Sequence, residues 1–219
     1  MSTSRYLGIA TFAITALLLC ASSQAKEAIS LCPPQAKQVI AQSFPSVKSE
    51  KNECAKGDLD RDGIPDVAAI IQYTSADGIE LAQVLILKGS AAGSYSIIAK
   101  SDVCGPHILR EEEVLIRRGS VYLTANTHSY DEYAVTTYQF KFDEKEFVLI
   151  GLDEARGKVG KDRSSSSRSV NFMNGKLIET QRSRGRKIVQ KRRIATPPHI
   201  RLQEFTLDDV GGMAFKEAE

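Results

Sequence analysis

Short apolar runs separated by Gly, Asp and Ser dominate the chain after residue 66, and this texture is typical of β-strands. Within 138–142 three aromatic residues alternate with two polar ones, which predicts a half-buried antiparallel strand. The runs predict strands near Val67–Tyr73, Leu81–Leu87, Tyr95–Lys100, Val114–Arg117, Val121–Asn126, Val135–Phe142, Phe147–Leu152, Ser169–Met173, Lys176–Thr180 and Lys187–Ile194.

One helix is predicted before the strands. Ala36, Val39 and Ile40 follow the helical period, Pro33-Pro34 suits the first turn, and Phe44-Pro45 ends it. The predicted fold class is therefore mainly β (α+β), an antiparallel β-meander that forms a sandwich, an open barrel or a curled sheet with one N-terminal helix packed on it.

Hairpin turns are predicted at three places, Arg118-Gly119-Ser120, Asp143-Glu144-Lys145 and Asn174-Gly175. The last pair favours a type I′ turn because both residues tolerate positive φ. Residues 156–168 have two glycines, a run of four serines and no apolar period, so they are expected to form a flexible surface loop.

The first 25 residues have the order of a cleavable signal peptide. Arg5 precedes an apolar stretch from Leu7 to Cys20, and the small, polar segment 21–25 ends at the expected cleavage site. The apolar stretch is shorter than the roughly 20 residues of a membrane-spanning helix, and no later segment is apolar enough to span. A lipoprotein signal would place a small residue where Leu19 stands. We expect residues 26–219 to form a single periplasmic or secreted β-rich domain.

Three cysteines remain after the expected cleavage, Cys32, Cys54 and Cys104. An oxidising compartment favours one bridge, and three pairings are open. Cys32 with Cys54 is the preferred pairing because it would join the N-terminal helix to the start of the sheet.

Charge is distributed in blocks along the chain. Residues 26–155 have 13 Lys and Arg against 20 Asp and Glu, whereas the basic segment 156–201 has 14 against 2. If Arg182, Arg184 and Arg186 lie on one strand, they share a face that can hold an anion. The partner would be an anionic envelope glycan or another envelope protein, unless the block only balances charge internally. Nucleic acid is not expected, because few aromatics accompany the cations.

The acidic segment Asp58–Asp66 is the motif with the clearest chemistry. Carboxylates stand at its positions 1, 3, 5 and 9, glycine stands at position 6, and hard oxygen ligands in this number suit calcium. An EF-hand would require a Glu at position 12, where Ala69 stands, and a helix where a strand is predicted. The predicted ligands of Ca²⁺ are the side chains of Asp58, Asp60, Asp62 and Asp66 and the carbonyl of Ile64.

Residues 57–68 resemble the calcium loop of FG-GAP or VCBS repeats, which leads directly into a strand. That resemblance implies a calcium site and covers residues 57 to about 72, in a single copy. From about residue 57 to 206, the order of the acidic loop, the aromatic strand ending at 147–151 and the segment 170–176 also resembles uncharacterised exported bacterial proteins. This second resemblance implies fold and compartment and no mechanism.

Two functions are compatible with these patterns. The favoured one is an exported, calcium-stabilised β-domain with a non-enzymatic binding or structural role. The alternative is a hydrolase of cell-wall or polysaccharide substrates, whose paired carboxylates would come from Asp58–Asp66, Glu111–Glu113 or Asp131-Glu132. The histidines show no metal-ligand spacing.

Overall fold

The computed structural model describes residues 32–45, 47, 53–103, 111–128, 130–158, 164–195 and 197–206. The expected signal peptide and Cys104 lie outside them. Within these residues the elements are, in chain order, α1 (Pro34–Ser43), β1 (Glu53–Gly57), β2 (Asp66–Thr74), β3 (Glu80–Gly89), β4 (Tyr95–Lys100), β5 (Glu111–Arg117), β6 (Ser120–His128), β7 (Glu132–Phe142), β8 (Phe147–Lys158), β9 (Ser164–Asn171), β10 (Lys176–Ser183), β11 (Arg186–Arg193) and a short 3-10 helix, Leu202–Glu204. The described part contains no helix that is long and apolar enough to cross a membrane.

Two antiparallel sheets follow the order of the sequence. One has four strands, β1-β2-β3-β4, and the other has seven, β11-β10-β9-β8-β7-β6-β5. Every strand therefore pairs with its neighbour along the chain within its sheet. This arrangement confirms the predicted fold class of an antiparallel β-meander with one N-terminal helix.

The four-stranded sheet is buried on both faces. On one face, Ala68, Ile70, Val84 and Ile86 belong to an apolar cluster that lies between the two sheets. This cluster also contains Phe140, Leu152 and Phe205. The opposite face, with Val67, Ile71, Leu85 and Leu87, packs on Ala36 and Ile40 of α1. Burial on two sides explains why β2 and β3 are continuous apolar runs without alternation.

Most predicted strands match the structure, with three kinds of difference. β5 to β9 extend beyond their predicted apolar centres into polar ends. β1 was not predicted, because its five residues carry only two apolar side chains between charged ones. Residues 156–158 and 164–168 belong to β8 and β9, so the predicted flexible loop at 156–168 is wrong for them.

The ends of β8 and β9 could not be recognised from apolar periodicity. Residues 153–158 and 164–169 are not members of the apolar core clusters, and an ion pair joins the two strands here instead. Arg168 Nη2 lies 2.9 Å from Glu154 Oε2, and these two residues are directly opposite on the two strands. Residues 159–163, between the strands, lie outside the described residues.

The hairpin turns differ from prediction in one place. Arg118 and Gly119 both have positive φ and form the predicted tight turn between paired Arg117 and Ser120. The turn at Asn174-Gly175 is longer, because Asn171 pairs with Lys176 and only Gly175 has positive φ, so the predicted type I′ turn is wrong. Asn174 instead accepts a hydrogen bond from the Lys176 amide with its side chain.

The predicted disulfide between Cys32 and Cys54 is present. The two Cα atoms are 5.0 Å apart, and the bridge closes a sequence separation of 22 residues. Both cysteines are buried in the cluster between α1 and the four-stranded sheet. The bridge therefore ties the start of α1 to β1.

Replacing both cysteines by alanine should lower the free energy of unfolding by about 3 kcal/mol, because a loop of this size no longer restricts the unfolded chain. Urea denaturation without reductant measures this difference. Reductant should lower the stability of the native protein and leave that of the double variant unchanged. Equal stability of the two oxidised proteins would contradict a structural role for the bridge.

Candidate metal centre

The acidic loop closes the hairpin of β1 and β2. Gly57 pairs with Asp66, so residues 58–65 form the loop, and Gly63 turns the chain with a φ of 81°. Arg61 also has a positive φ, 67°, which is unusual for a residue with a side chain. Two residues of this short loop therefore adopt the left-handed backbone conformation.

Carboxylates organise this loop by accepting hydrogen bonds from its backbone N–H groups. The two oxygens of Asp58 accept bonds from the amides of Arg61, at 2.6 Å, and Gly63, at 3.0 Å. Asp62 Oδ1 accepts a bond of 2.8 Å from Ile64 N–H. These bonds hold the side chains of Asp58 and Asp62 against the backbone of a loop that is largely exposed.

Asp66 is the anchor of the loop. Its side chain is 1% exposed, and its two oxygens accept bonds of 3.0 Å from the amides of Leu59 and Gly89. Leu59 belongs to the loop and Gly89 ends β3, so one carboxylate joins the loop to two strands. A side chain at Gly89 would lie 2.3 Å from the Pro65 carbonyl oxygen, which explains why β3 ends in glycine.

Three of the predicted ligands converge on one point. Asp58, Asp60 and Asp66 each offer a carboxylate oxygen, and these oxygens all lie within 4.8 Å of one another. Such a group can hold a metal ion, and the donors are the hard oxygens that Ca²⁺ prefers. Asp62 is not a member of the group, and Ile64 lies half-buried in the loop with its N–H bonded to Asp62.

Lys88, near the end of β3, supplies a positive charge that sequence reasoning missed. Its ammonium hydrogen-bonds to Asp60, lies 2.6 Å from Asp62 Oδ2 and lies 3.7 Å from Asp66 Oδ1. The register of β2 and β3, with Val67 opposite Leu87, places Asp66 opposite Lys88. A single lysine after the apolar run 84–87 was the only signal in the sequence.

The charges of this cluster shift the pKa values of both partners. Partial burial of the Lys88 ammonium favours its neutral form, but hydrogen bonds to Asp60 and Asp62 and the charge of Asp66 outweigh it and raise the pKa of Lys88. The hydrogen bond from Lys88, followed by that from the Ile64 amide, lowers the pKa of Asp62. Lys88 and Asp62 are therefore charged together at neutral pH.

The centre opens onto a cavity of about 250 Å³ between the four-stranded sheet and the β7–β8 hairpin. Its polar lining consists of Asp60, Asp66 and Lys88 together with Lys145, Glu146 and Gln203. Ile98, Phe142 and Phe147 form the apolar wall. The cavity leaves room beside the carboxylates for water or for a displaced side chain.

The other predicted groups lie elsewhere. Glu111–Glu113 belong to β5, and Glu132 begins β7, where it lies 3.0 Å from Lys158. Glu53 of β1 lies near Glu113 of β5, and the sequence did not reveal this carboxylate pair. Burial of Glu53, followed by the negative charge of Glu113, raises the pKa of Glu53. Of these two, only Glu113 borders the cavity of about 270 Å³ on β5 and β6.

The three arginines predicted to share a strand face do not do so. Arg182 lies on β10, Arg184 lies in the turn with a φ of 48°, and Arg186 begins β11. Arg186 is opposite Ser183, one position after Arg182, so Arg182 and Arg186 point to opposite faces of the sheet. The predicted row is wrong because a tight turn at Arg184-Gly185 interrupts it.

Comparison with protein-family models, with curated proteins and with solved structures found no match to this chain.

Replacing Lys88 by Met should lower the melting temperature in the presence of EDTA, because the variant leaves several carboxylates close together without their cation. The loss should be smaller in an Asp62→Asn background, where one repulsive charge has been removed. Thermal unfolding followed by circular dichroism measures both differences.

Lys100→Met is the matched control, because Lys100 is exposed on β4, away from the loop. It should unfold at nearly the native temperature. If Lys88→Met is as stable as this control, the lysine does not compensate the charge of the loop.

Proposed function

We propose that this chain is an exported, calcium-stabilised β-domain with a non-enzymatic binding or structural role in the cell envelope. The observation that carries the proposal is the convergence of Asp58, Asp60 and Asp66 within 4.8 Å, on a loop whose backbone amides already hold the carboxylates in place. Carboxylates that lie close together repel one another, and these three converge on a position that suits a cation.

The place of the loop in the fold supports a stabilising role for the ion. Asp66 joins the loop to β3, and Leu59 is buried in the cluster between the sheets. An ion bound to Asp58, Asp60 and Asp66 would therefore brace the point where β1, β2 and β3 meet. Asp62 and the Ile64 carbonyl would complete the coordination after a local rearrangement, because Asp62 is engaged with Lys88.

The disulfide supports the expected compartment. Cys32 and Cys54 are joined next to the same hairpin that carries the loop, and structural disulfides persist in oxidising compartments. Calcium is plentiful outside the cytoplasm, so a weak site is sufficient. Without the bidentate Glu of an EF-hand, the affinity should lie near that of extracellular modules, with a Kd of about 10⁻⁴ to 10⁻³ M.

Lys88 sets the condition for calcium binding. Its ammonium contacts the same carboxylates that would bind the ion, so lysine and calcium compete for Asp60 and Asp66. Calcium would have to move the ammonium towards the adjacent cavity. The proposal therefore includes a lysine that weakens the site and also protects the loop from charge repulsion when calcium is scarce.

Calcium should raise the melting temperature of the native protein, because an ion that binds the folded state alone stabilises it by about 2.7 kcal/mol at 100 times the Kd. Asp60→Asn should remove most of this gain, and Lys88→Met should reach it at a lower calcium concentration. Differential scanning calorimetry on protein stripped of metal measures the midpoints.

Asp153→Asn is the matched control, since Asp153 is an exposed carboxylate of β8 outside the loop. It should respond to calcium as the native protein does. Absence of a calcium effect in both the native protein and Lys88→Met would overturn the proposal. A response of Lys88→Met alone would show that lysine has replaced the metal in the native protein.

A further inference from the structure

The end of the seven-stranded sheet formed by β9, β10 and β11 has two faces of different character. Side chains of directly opposite residues point to the same side, so register assigns each residue to a face. Val170, opposite Leu177, is buried in the core and defines the inner face. The outer face consists of the residues that alternate with the inner-face residues along each strand, beginning with the neighbours of Val170 on β9 and of Leu177 on β10.

Three arginines of the inner face are matched by acids, whereas Arg186, at the exposed start of β11, has no ion pair within the described residues. Arg168 lies 2.9 Å from Glu154, and Arg192 Nε lies 3.7 Å from Glu179 Oε2. On the neighbouring strand, Arg156 is bonded to the same Glu154 carboxylate. These three ion-paired arginines therefore serve the fold itself.

The outer face carries five cations and no acid along the same three strands. The five cations are Lys176, Arg182, Lys187, Lys191 and Arg193. All of them are exposed, and within the described part of the chain no ion pair joins any of them to a carboxylate. The nearest outer-face acid in register is Asp153, on β8 beyond β9. Five of the 14 cations of segment 156–201 therefore lie together, without an acid, on one face of one end of the sheet.

Two pairs of these cations are directly opposite each other. Arg182 faces Lys187, and Lys176 faces Arg193 across the β10–β11 ladder. Directly opposed like charges destabilise a pair of strands, so this arrangement lowers the stability of the hairpin. An anion lying along the strands would remove the repulsion, whereas internal charge balance would require acids that this face lacks.

Neutral hydrogen-bonding groups lie beside the cations. The outer face of β9 presents Ser165, Ser167, Ser169 and Asn171, in register with β10. Hydroxyl and amide groups can exchange hydrogen bonds with sugar hydroxyls, whereas nucleic-acid bases need aromatic stacking partners. None of the outer-face residues of these three strands is aromatic.

We propose that the outer face of β9, β10 and β11 binds an acidic, carboxylate-bearing polysaccharide, with the five cations holding carboxylates and the β9 side chains contacting sugar hydroxyls. The choice of this partner rests on the proposed role as an exported binding module. Binding at this surface should not depend on calcium, because the acidic loop belongs to the four-stranded sheet.

The test uses immobilised polygalacturonate as the carboxylated probe and dextran as the neutral one, with EDTA present throughout. The native protein should bind polygalacturonate at about 20 mM salt, and the affinity should fall steeply towards about 150 mM. Lys176→Gln, Lys187→Gln and Lys191→Gln combined should weaken binding at least about tenfold and flatten the salt dependence. Their thermal stability should not fall, because the repulsion is reduced.

A matched triple variant separates this face from net charge. Lys37→Gln, Lys56→Gln and Lys100→Gln change the charge equally on α1, β1 and β4, where each lysine is exposed, and should keep most of the affinity. Equal weakening by both triple variants, or no binding at low salt, would overturn the proposal.

A second variant tests the chemical class of the partner. Ser167→Ala combined with Ser169→Ala should weaken binding to polygalacturonate and leave binding to inorganic polyphosphate unchanged. The same loss on both probes would contradict recognition of sugar hydroxyls, as would tighter binding to phosphatidylglycerol vesicles or to double-stranded DNA than to polygalacturonate. Because EDTA is present, failure of the calcium site leaves these outcomes unaffected.

Discussion

The buried carboxylate of Asp66 is the constraint on which the N-terminal half of the structure depends. A buried charge is tolerated only when it is hydrogen-bonded and compensated. Here the amides of Leu59 and Gly89 bond to its two oxygens, and the Lys88 ammonium lies 3.7 Å away. These partners come from the loop and from β3, so satisfying one side chain fixes the positions of both relative to β2.

Close packing around the loop follows from this anchor. Leu59 is drawn into the cluster between the sheets, and a side chain at Gly119 would lie 3.3 Å from the Leu59 carbonyl oxygen. Gly57 lies so close to Ile116 of β5 that a side chain would lie 2.4 Å from it. The acidic loop is thus wedged against the edge of the seven-stranded sheet, and its charge has to be compensated beside an apolar core.

Much of the fold was predictable, because strand periodicity and turn chemistry are local properties of the sequence. The apolar runs of β2 and β3, the alternation in β7 and the turn at Arg118-Gly119 gave correct elements. Apart from the turn at Asn174-Gly175, the failures occurred where long-range pairing decides. β1 is a strand because β2 lies beside it, and the ends of β8 and β9 are strands because Arg168 and Glu154 meet across them.

The candidate sites divide in the same way. Three of the four predicted Asp ligands converge as their spacing indicated, since residues within one loop are held by local geometry. Lys88 and the five-cation outer face depend on strand register, which a single sequence does not specify. Arg182 and Arg186 were expected on one face, and a two-residue turn separates them onto opposite faces.

A structure determined from crystals grown with calcium would show whether the loop carboxylates form a cation site that Lys88 shares with a divalent ion. If Lys88 shares the site with calcium, an ion will lie at about 2.3 to 2.6 Å from oxygens of Asp58, Asp60 and Asp66, with the Lys88 ammonium displaced towards the cavity that borders the site. An ammonium still bonded to Asp60 and Asp62, with no ion among the carboxylates at saturating calcium, would contradict it.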